Sequence, residues 1–470
     1  MSNPPPKPAN PAAPLLSVYW LNSELTNTYP APALRDVLAY TNGVNGPPQT
    51  GVVYLMGASF LGSPESFAAP YVQLEPSLLN TLQNGDVALL QKAGVKVLLT
   101  IQGSNSGGNT MGWSTMSDTQ SAAFAQWLAS NVINAYGLDG VDIDDEFSSA
   151  PGTPQNLIDA VANLRAQIPG KLITKALWRD TDVFGLTASA STPYSGATMP
   201  QLLNFGSTMS YGTGAAGIES ATKAYTSTSS LTYPLAASQL CAGVQAGPSN
   251  GHWMTSLADT TSVATWAKNK NYLGVMIYSF SQDIEEFTGT ATDPSQYKYP
   301  YPSAGDHMFQ QAVVQAWGET FTVNQQAIAG LFYPAGSFYL SSKDIQMTLS
   351  AELKTKQGTW VSATLDILAL SNANITNSDG TFVQQATMLE QSQYQSIQQK
   401  MTAQGLGAFV PVGDYWSSAR NVSVTLSAQC RTIAGGYQNS SLGLSTANPA
   451  NTIVVNNNGA LQLQAVQPVG

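Results

Sequence analysis

Eight short apolar or β-branched runs, separated by helical patterns, leave few folds open to this chain. They are Leu15–Leu21, Val52–Ala58, Val95–Ile101, Leu138–Asp144, Leu172–Trp178, Leu203–Tyr211, Leu240–Gln245 and Leu273–Phe280. Runs of this length and content read as strands. One helical pattern begins near Ser117 and puts Phe124, Trp127, Leu128 and Val132 on one face. It stops at Gly137, a residue suited to a helix C-terminus. Another opens at Thr153-Pro154, a cap followed by proline in the first turn, and buries Leu157, Val161, Leu164 and Ile168. Strands joined by helical crossovers up to about Trp317 predict a (β/α)8 barrel over residues 15–320. A doubly wound open sheet competes, but no Gly-rich dinucleotide fingerprint follows the first run.

After Trp317 the texture changes. Helical periods fade, and Thr, Ser, Asn and Gly separate short alternating runs, so a domain boundary is expected at residues 318–330. With 470 residues the chain is long enough for two domains. The second part contains a repeat: KDIQMTLSAELKTKQGTWVSATLDI from Lys343 and RNVSVTLSAQCRTIAGGYQNSSLGL from Arg420 share Thr-Leu-Ser-Ala in register. They also share a basic residue before Thr, a Gly turn, an aromatic (Trp360, Tyr437) and a closing turn, NSDGTF or NNNGAL. Two β-rich halves with pseudo-twofold symmetry are predicted at about 331–385 and 411–465, within a domain of 331–470. Residues 386–412 read as an insertion, its first part helical. Residues 1–14 read as a disordered Pro-rich leader.

Composition narrows the partners. Charged residues are 10% of the chain and the net charge is −10. A weakly charged polar surface suits neutral polar ligands such as sugars, and an acidic chain without a basic stripe argues against nucleic acid. The two cysteines, Cys241 and Cys430, and the two histidines, His252 and His307, are isolated. They give no zinc spacing and no disulfide framework, and each is read as structural. No cofactor or metal is expected. MSNPPPKPANPAAP has no apolar h-region, and no stretch is apolar enough to span a bilayer. The expectation is a monomer without membrane contact that is cytoplasmic, exported by another route, or secreted with its signal removed.

The sharpest chemical signal is LDGVDIDDE, residues 138–146. Side chains alternate faces along a strand, so Asp142, Asp144 and Glu146 point one way and Val141 and Ile143 the other. A solvated acidic run would not alternate with Val and Ile. The offsets of a Ca²⁺-binding EF-hand loop are absent. Neighbouring carboxylates in a low-dielectric site cannot all ionise cheaply, so at least one pKa rises. A protonated Glu at the strand tip can act as general acid, and an ionised neighbour can offset the charge of an oxocarbenium-like transition state.

These residues resemble the DGxDxDxE signature of family 18 glycoside hydrolases, which are (β/α)8 barrels. YGLDGVDIDDEF looks most like the endo-β-N-acetylglucosaminidases of the H type. GVKVLLTIQGSNSGG from Gly94 and Met209-Ser210-Tyr211 are similar to other segments of that group, in order. The resemblance implies a substrate-assisted mechanism. Glu146 would protonate the leaving oxygen, and the substrate's acetamido carbonyl would form an oxazolinium. Asp144 would orient the acetamido N–H, Asp142 would share a proton with Asp144, and Tyr211 would hydrogen-bond the acetamido group. Trp20, Gln102, Gly103, Met209, Gln245 and Tyr278 or Phe280 would contact substrate. Chitinases share the signature, and many carry an inserted domain between strands seven and eight. About 27 residues separate Gln245 from Leu273 here, too few for it. MIYSFSQD also lacks the Trp that ends strand eight in many chitinases.

The duplicated unit resembles the cyanovirin-N homology lectins, many of which bind α-linked mannose. That resemblance places one site at Asn377, Ser378, Asp379, Arg431 and Thr432, and another at Lys354, Thr355, Asn456 and Asn457. The family's cysteine framework is mostly lost. Cys430 is left alone because its usual partner position reads Ala419, and the first copy has Ser342 and Leu353. An unstapled domain agrees with a reducing compartment. Together the resemblances imply cleavage of the GlcNAcβ1-4GlcNAc core of high-mannose N-glycans, aided by a mannose-binding domain. A chitinase and a catalytically silent lectin are the alternatives.

Overall fold

The computed structural model describes residues 5–21, 34–43, 46–83, 86–103, 111–145, 152–178, 181–246, 254–283, 286–287, 297–298, 307–323, 338, 341–368, 375–385, 396–397, 399–401, 403–407, 409–411, 413–447 and 452–465. The chain divides into two compact units. One comprises Met1–Pro32, Tyr40–Leu78 and Gly94–Val323, the other Ala33–Ala39, Leu79–Ala93 and Asn324–Gly470.

The first unit is built on eight parallel strands: β1 (Leu15–Trp20), β2 (Val52–Phe60), β3 (Lys96–Gln102), β4 (Gly140–Asp144), β5 (Leu172–Leu177), β6 (Phe205–Thr208), β7 (Leu240–Gln245) and β8 (Gly274–Tyr278). Each strand pairs with the next in sequence. β1 pairs with both β2 and β8, with Val18 opposite Val53 on one side and Ile277 on the other, so the sheet closes. The expected (β/α)8 barrel is therefore the fold. Across both units the helices in chain order are α1 (Pro76–Gln83), α2 (Asp86–Lys92, in the second unit), α3 (Asp118–Leu128), α4 (Pro154–Gln167), α5 (Met199–Leu202), α6 (Gly214–Ala224), α7 (Leu257–Asn269) and α8 (Met308–Ala316).

Sequence explains the helix starts. Ser117 caps α3 in a reciprocal capping box with Gln120, and the Thr153 hydroxyl accepts from Asn156 N just before Pro154 opens α4. The barrel interior holds Leu15, Tyr19, Val52, Tyr54, Leu98, Leu172, Phe205, Cys241 and Met276. Alternation sends Val141 and Ile143, both fully buried, to the other face.

The N-terminal segment differs from expectation. Residues 5–14 are not a disordered leader. Lys7 Nζ donates to the carbonyls of Pro200 (2.9 Å) and Leu203 (2.6 Å) at the end of α5, and Asn204 Nδ2 donates to the Pro8 carbonyl at 2.8 Å. Helix-end carbonyls need donors, and a proline-rich backbone has less freedom to lose on ordering. Burial, with the Arg165 charge nearby, lowers the Lys7 amine to about 8.

The second unit centres on β9 (Ser342–Lys354), β10 (Trp360–Asp366), β13 (Ala419–Arg431) and β14 (Tyr437–Gly443), ordered β10-β9-β13-β14 and antiparallel. Two hairpins complete it, β11–β12 (Ile375–Ser378, Thr381–Gln384) and β15–β16 (Thr452–Asn457, Ala460–Ala465). Thr348 and Thr425 hold the same place in the two copies and face each other across the central pair, as a pseudo-twofold axis requires. Met347, Leu349, Leu353, Val424, Leu426 and Cys430 point into one core with Phe382 and Tyr415. In the insertion, residues 396–397 and 399–401 are helical.

Cys430 is a free, buried cysteine, as expected. Its neighbour is Ser342 on the adjacent strand, whose hydroxyl lies 3.3 Å from its sulfur, while Ala419 faces Leu353. Ala419 and Cys430 lie near opposite ends of one 13-residue strand.

Candidate active site and glycan-binding turns

Asp142 lies in the middle of β4, 1% exposed, and points into the barrel. Three hydroxyls from three other strands donate to it. Thr174 of β5 reaches Oδ1 at 2.6 Å, and Tyr19 of β1 and Thr100 of β3 reach Oδ2 at 2.7 and 3.1 Å. Burial pushes its carboxyl up, while these hydroxyls and the Lys175 charge pull the other way. Two residues on, Asp144 ends the strand on the same face, 5% exposed and in register with Gln102. Its carbonyl accepts from Gly103 N at 2.7 Å. A Cβ on Gly103 would stand 2.6 Å from Asp145 Oδ1, so a side chain there would push the Asp145 carboxylate aside. Asp145 is buried with its carboxylate on Ser114 N at 3.1 Å.

An aromatic layer stands beside the acids. The Tyr19 ring is 4.6 Å from Tyr54 and 5.7 Å from Tyr278, and Tyr278 stacks at 5.8 Å on Tyr211. Burial and the Asp142 charge raise the Tyr19 phenol well above its usual value. Gln245 ends β7 opposite Tyr278, and Met209 continues β6 with its N–H on the Leu177 carbonyl at 2.9 Å. Strand ends thus bring together Asp142, Asp144, Gln102, Gly103, Met209, Tyr211, Gln245 and Tyr278. Glu146 and His252 lie outside the described residues.

In the second unit the two closing turns follow one scheme. Asn377 Nδ2 donates to the Lys354 carbonyl and the Ser418 hydroxyl, both at 2.8 Å, and Oδ1 accepts from Gly380 N at 2.8 Å. Asn456 does the same with the Arg431 carbonyl (3.0 Å), the Ser341 hydroxyl (2.8 Å) and Gly459 N (2.7 Å). Asp379 accepts from Lys356 N at 2.7 Å, and its counterpart Asn458 accepts from Ile433 N at 2.8 Å. Gly380 and Gly459 sit at φ +88° and +92°, which only glycine adopts without strain. Beside the first turn is a cavity of about 480 Å³ lined by Lys354, Thr355, Lys356, Thr376, Asn377, Ser378, Asp379, Val383, Gln385 and Ser418.

Residues 68–240 match the family model of the endo-β-N-acetylglucosaminidase EndoS TIM-barrel domain, and residues 338–462 match that of the CVNH domain. The two matches fall on separate parts of the chain, the first within the barrel and the second on the repeat unit. An endo-β-N-acetylglucosaminidase from Flavobacterium sp. (strain SK1022) is 41% identical over 91 residues, 18% of this chain and 28% of that protein. Endo-β-N-acetylglucosaminidase F1 from Elizabethkingia meningoseptica is 31% identical over 160 residues, 31% of this chain and 45% of its own. The chain thus spans less than half the length of either curated relative. Among solved structures, a GH18 chitinase from Pseudoalteromonas aurantia shares 19% identity, covering 64% of this chain and 99% of that one, with a TM-score of 0.44. A fungal family 18 endo-β-N-acetylglucosaminidase shares 17%, covering 65% and 98%, with a TM-score of 0.42.

Three expectations about the barrel and the repeat unit need correcting. Trp20 is on the outer face, because Tyr19 beside it reaches Asp142 and neighbours on a strand point oppositely. Phe280 is fully buried away from the acids, 4.5 Å from the His307 ring and edge-on to Tyr40, so Tyr278 is the aromatic at the site. In the repeat unit the turns close on other strands than the resemblance implies. Asn377 to Asp379 close on Lys354 to Lys356 of their own copy, not on Arg431 and Thr432, and Asn456 closes on Arg431, not on Lys354 and Thr355. Each hairpin folds back over the end of the long strand that precedes it, and the other copy contributes a serine. Thr355 and Thr432 close their turns on Thr359 and Gly436, and Asn457 Nδ2 donates to Gln462 at 3.1 Å.

Tyr19, Thr100 and Thr174 were not anticipated. Alternation on their strands was the available signal, since each shares the inward parity of its own run.

Proposed function

We propose that this chain hydrolyses the GlcNAcβ1-4GlcNAc core of N-glycans, high-mannose glycans among them, and holds their mannose arms through its CVNH domain. The observation that carries the reading is the inward pair Asp142–Asp144 at the C-terminal end of a closed barrel, next to Tyr211 and Tyr278. The EndoS-type match over 68–240, which includes β4, and the curated relatives support it. We take the catalytic domain as 15–320 and the lectin domain as 331–470, acting as a monomer.

On this reading Glu146 protonates the glycosidic oxygen, and the substrate's acetamido carbonyl attacks the anomeric carbon from the opposite side. Asp144 accepts the acetamido N–H and offsets the positive charge of the oxazolinium. Asp142, held by three hydroxyls, limits where Asp144 can turn and shares charge with it. Tyr211 donates to the acetamido oxygen. Water then enters with Glu146 as base and configuration is retained. Tethering through the lectin half raises the local concentration of glycan at the barrel.

The test is mass spectrometry of a high-mannose glycoprotein treated with the full chain. One GlcNAc left on each asparagine is expected, and Glu146→Gln should abolish it. Cleavage of chitin oligomers with the glycoprotein untouched would move the assignment to chitinase. Glycan binding without any turnover would leave a lectin.

A further inference from the structure

We propose that Thr174 is a positioning residue for catalysis: its hydroxyl fixes Asp142 Oδ1 against β5 and keeps that side chain a carboxylate beneath Asp144. This rests on the glycosidase reading above. Thr100, Asp142 and Thr174 stand directly opposite one another across β3, β4 and β5, and each is 1% exposed. The two oxygens of Asp142 are served unequally. Oδ2 accepts from Tyr19 at 2.7 Å and from Thr100 at 3.1 Å, whereas Oδ1 accepts from Thr174 at 2.6 Å. Among the described residues Thr174 is the one donor to Oδ1, so its bond fixes how the carboxylate is turned about its Cβ–Cγ axis.

Packing alone does not ask for a hydroxyl here. On its other side Thr174 is in register with Phe205 of β6, an interior aromatic, so an aliphatic side chain would fill the place. A buried hydroxyl is costly without a partner, and its bond to a charged acid is stronger than one to a neutral group. The branched Cβ restricts its rotamers, which aims the hydroxyl in one direction. Burial raises the Asp142 carboxyl, and Thr174 stands first among the groups that pull it back, ahead of Tyr19, Thr100 and the Lys175 charge. Three interior groups nearby stay neutral over the working range. Burial raises the Tyr19 and Tyr54 phenols well above their usual value and pushes the Cys241 thiol of β7 up to about 12. Tyr278 of β8 and Tyr211 complete the ring of aromatic groups. Lys175, the next residue of β5, is buried with its Nζ on the carbonyls of Ala176 and Asp145 at 2.8 and 3.3 Å. Asp144, two positions on and on the same face, is the acid on which a fixed charge at Asp142 bears. A second negative charge pointing inward is repelled, which favours its carboxylate toward the strand ends.

The experiment compares Thr174→Val and Thr174→Ser with the wild-type chain, using pH–rate profiles on a high-mannose glycopeptide. Valine keeps the shape and removes the donor, so the Asp142 carboxylate is stabilised less. The acid limb should therefore move to higher pH by about one to two units. At the wild-type optimum kcat should fall about 10-fold, as an ionised fraction does one unit below its pKa. KM should change little, because Thr174 lies a layer below the strand ends. Thr174→Ser should restore the limb. A folded Val variant whose limb stays put, or a Ser variant whose limb moves as far as that of Val, overturns the proposal. If the Val variant does not fold, ¹³Cγ-aspartate spectra of the wild type decide, with the Asp142 signal identified by its loss in Asp142→Asn. That signal should hold the carboxylate position at the pH optimum, and a protonated signal there overturns the proposal. A wild-type chain with no turnover would defeat the glycosidase reading instead, and the same spectra would still read the state of Asp142.

Discussion

The barrel and the repeat unit place polar groups by opposite means. In the barrel, Asp142 is met once, by hydroxyls from β1, β3 and β5 that only closure of the sheet brings together. In the repeat unit the Asn377 arrangement is made twice, from equivalent residues, within 0.2 Å at each bond. Duplication marks what the fold needs. Both Asn377 and Asn456 commit both amide donors to the scaffold, so they clamp the turns rather than offer a hand to a sugar. A constellation that occurs once, at the strand ends of a barrel, has no such structural twin and is the better candidate for chemistry.

Predictions sharpen that contrast. The largest effect should follow Asp144→Asn or Glu146→Gln, each lowering glycopeptide turnover by about 10²–10⁴-fold, with glycan binding by the repeat unit unchanged in titration calorimetry. Next, Leu349→Ala or Leu426→Ala should cost about 2–5 kcal/mol in the unfolding of the repeat unit by denaturant titration, because each leaves a cavity in its core. Turnover of a small chromogenic substrate should survive; losing it would show that the barrel depends on the repeat unit. Asn377→Ala and Asn456→Ala should each cost about 1–3 kcal/mol, since each leaves polar partners unsatisfied. Their two losses should match, and a clear inequality would break the symmetry argument. The smallest effect concerns Lys7. Its folded value, about 8, lies below the ordinary 10.5, so between those pH values the unfolded chain binds more protons. Its contribution to stability should therefore rise with pH through that window and stay flat below it, and Lys7→Met should remove the slope in thermal melts.

Much of this was legible before any coordinates. Eight β-branched runs with helical spacing point to a parallel sheet covered on both faces, the missing dinucleotide fingerprint favours the barrel over the open sheet, and the Val–Asp–Ile–Asp alternation tells which way Asp142 and Asp144 point. Trp20 went astray because a shift of one residue flips a side chain to the other face. Phe280 shares the parity of Tyr278, but the strand ends at Tyr278 and alternation lapses beyond it. Tyr19, Thr100 and Thr174 escaped because their common target lies on another strand, and distances across a barrel have no trace in local pattern. The turn pairing escaped for a different reason. The copies carry the same residue types at Lys354 and Arg431, so composition is blind to which hairpin folds over which strand. The burial of Lys175 was equally hidden, since a lone lysine in a strand usually reads as a solvated position.

The strap of residues 5–14 has a practical corollary. It runs past Pro200–Asn204 and Ser238, just ahead of β6 and β7, while the acids sit where β4 leaves the sheet. A resin, affinity handle or cell-surface display partner grafted upstream of residue 5 would therefore emerge on the side of the barrel remote from the carboxylates, and the barrel mouth would face the bulk solution.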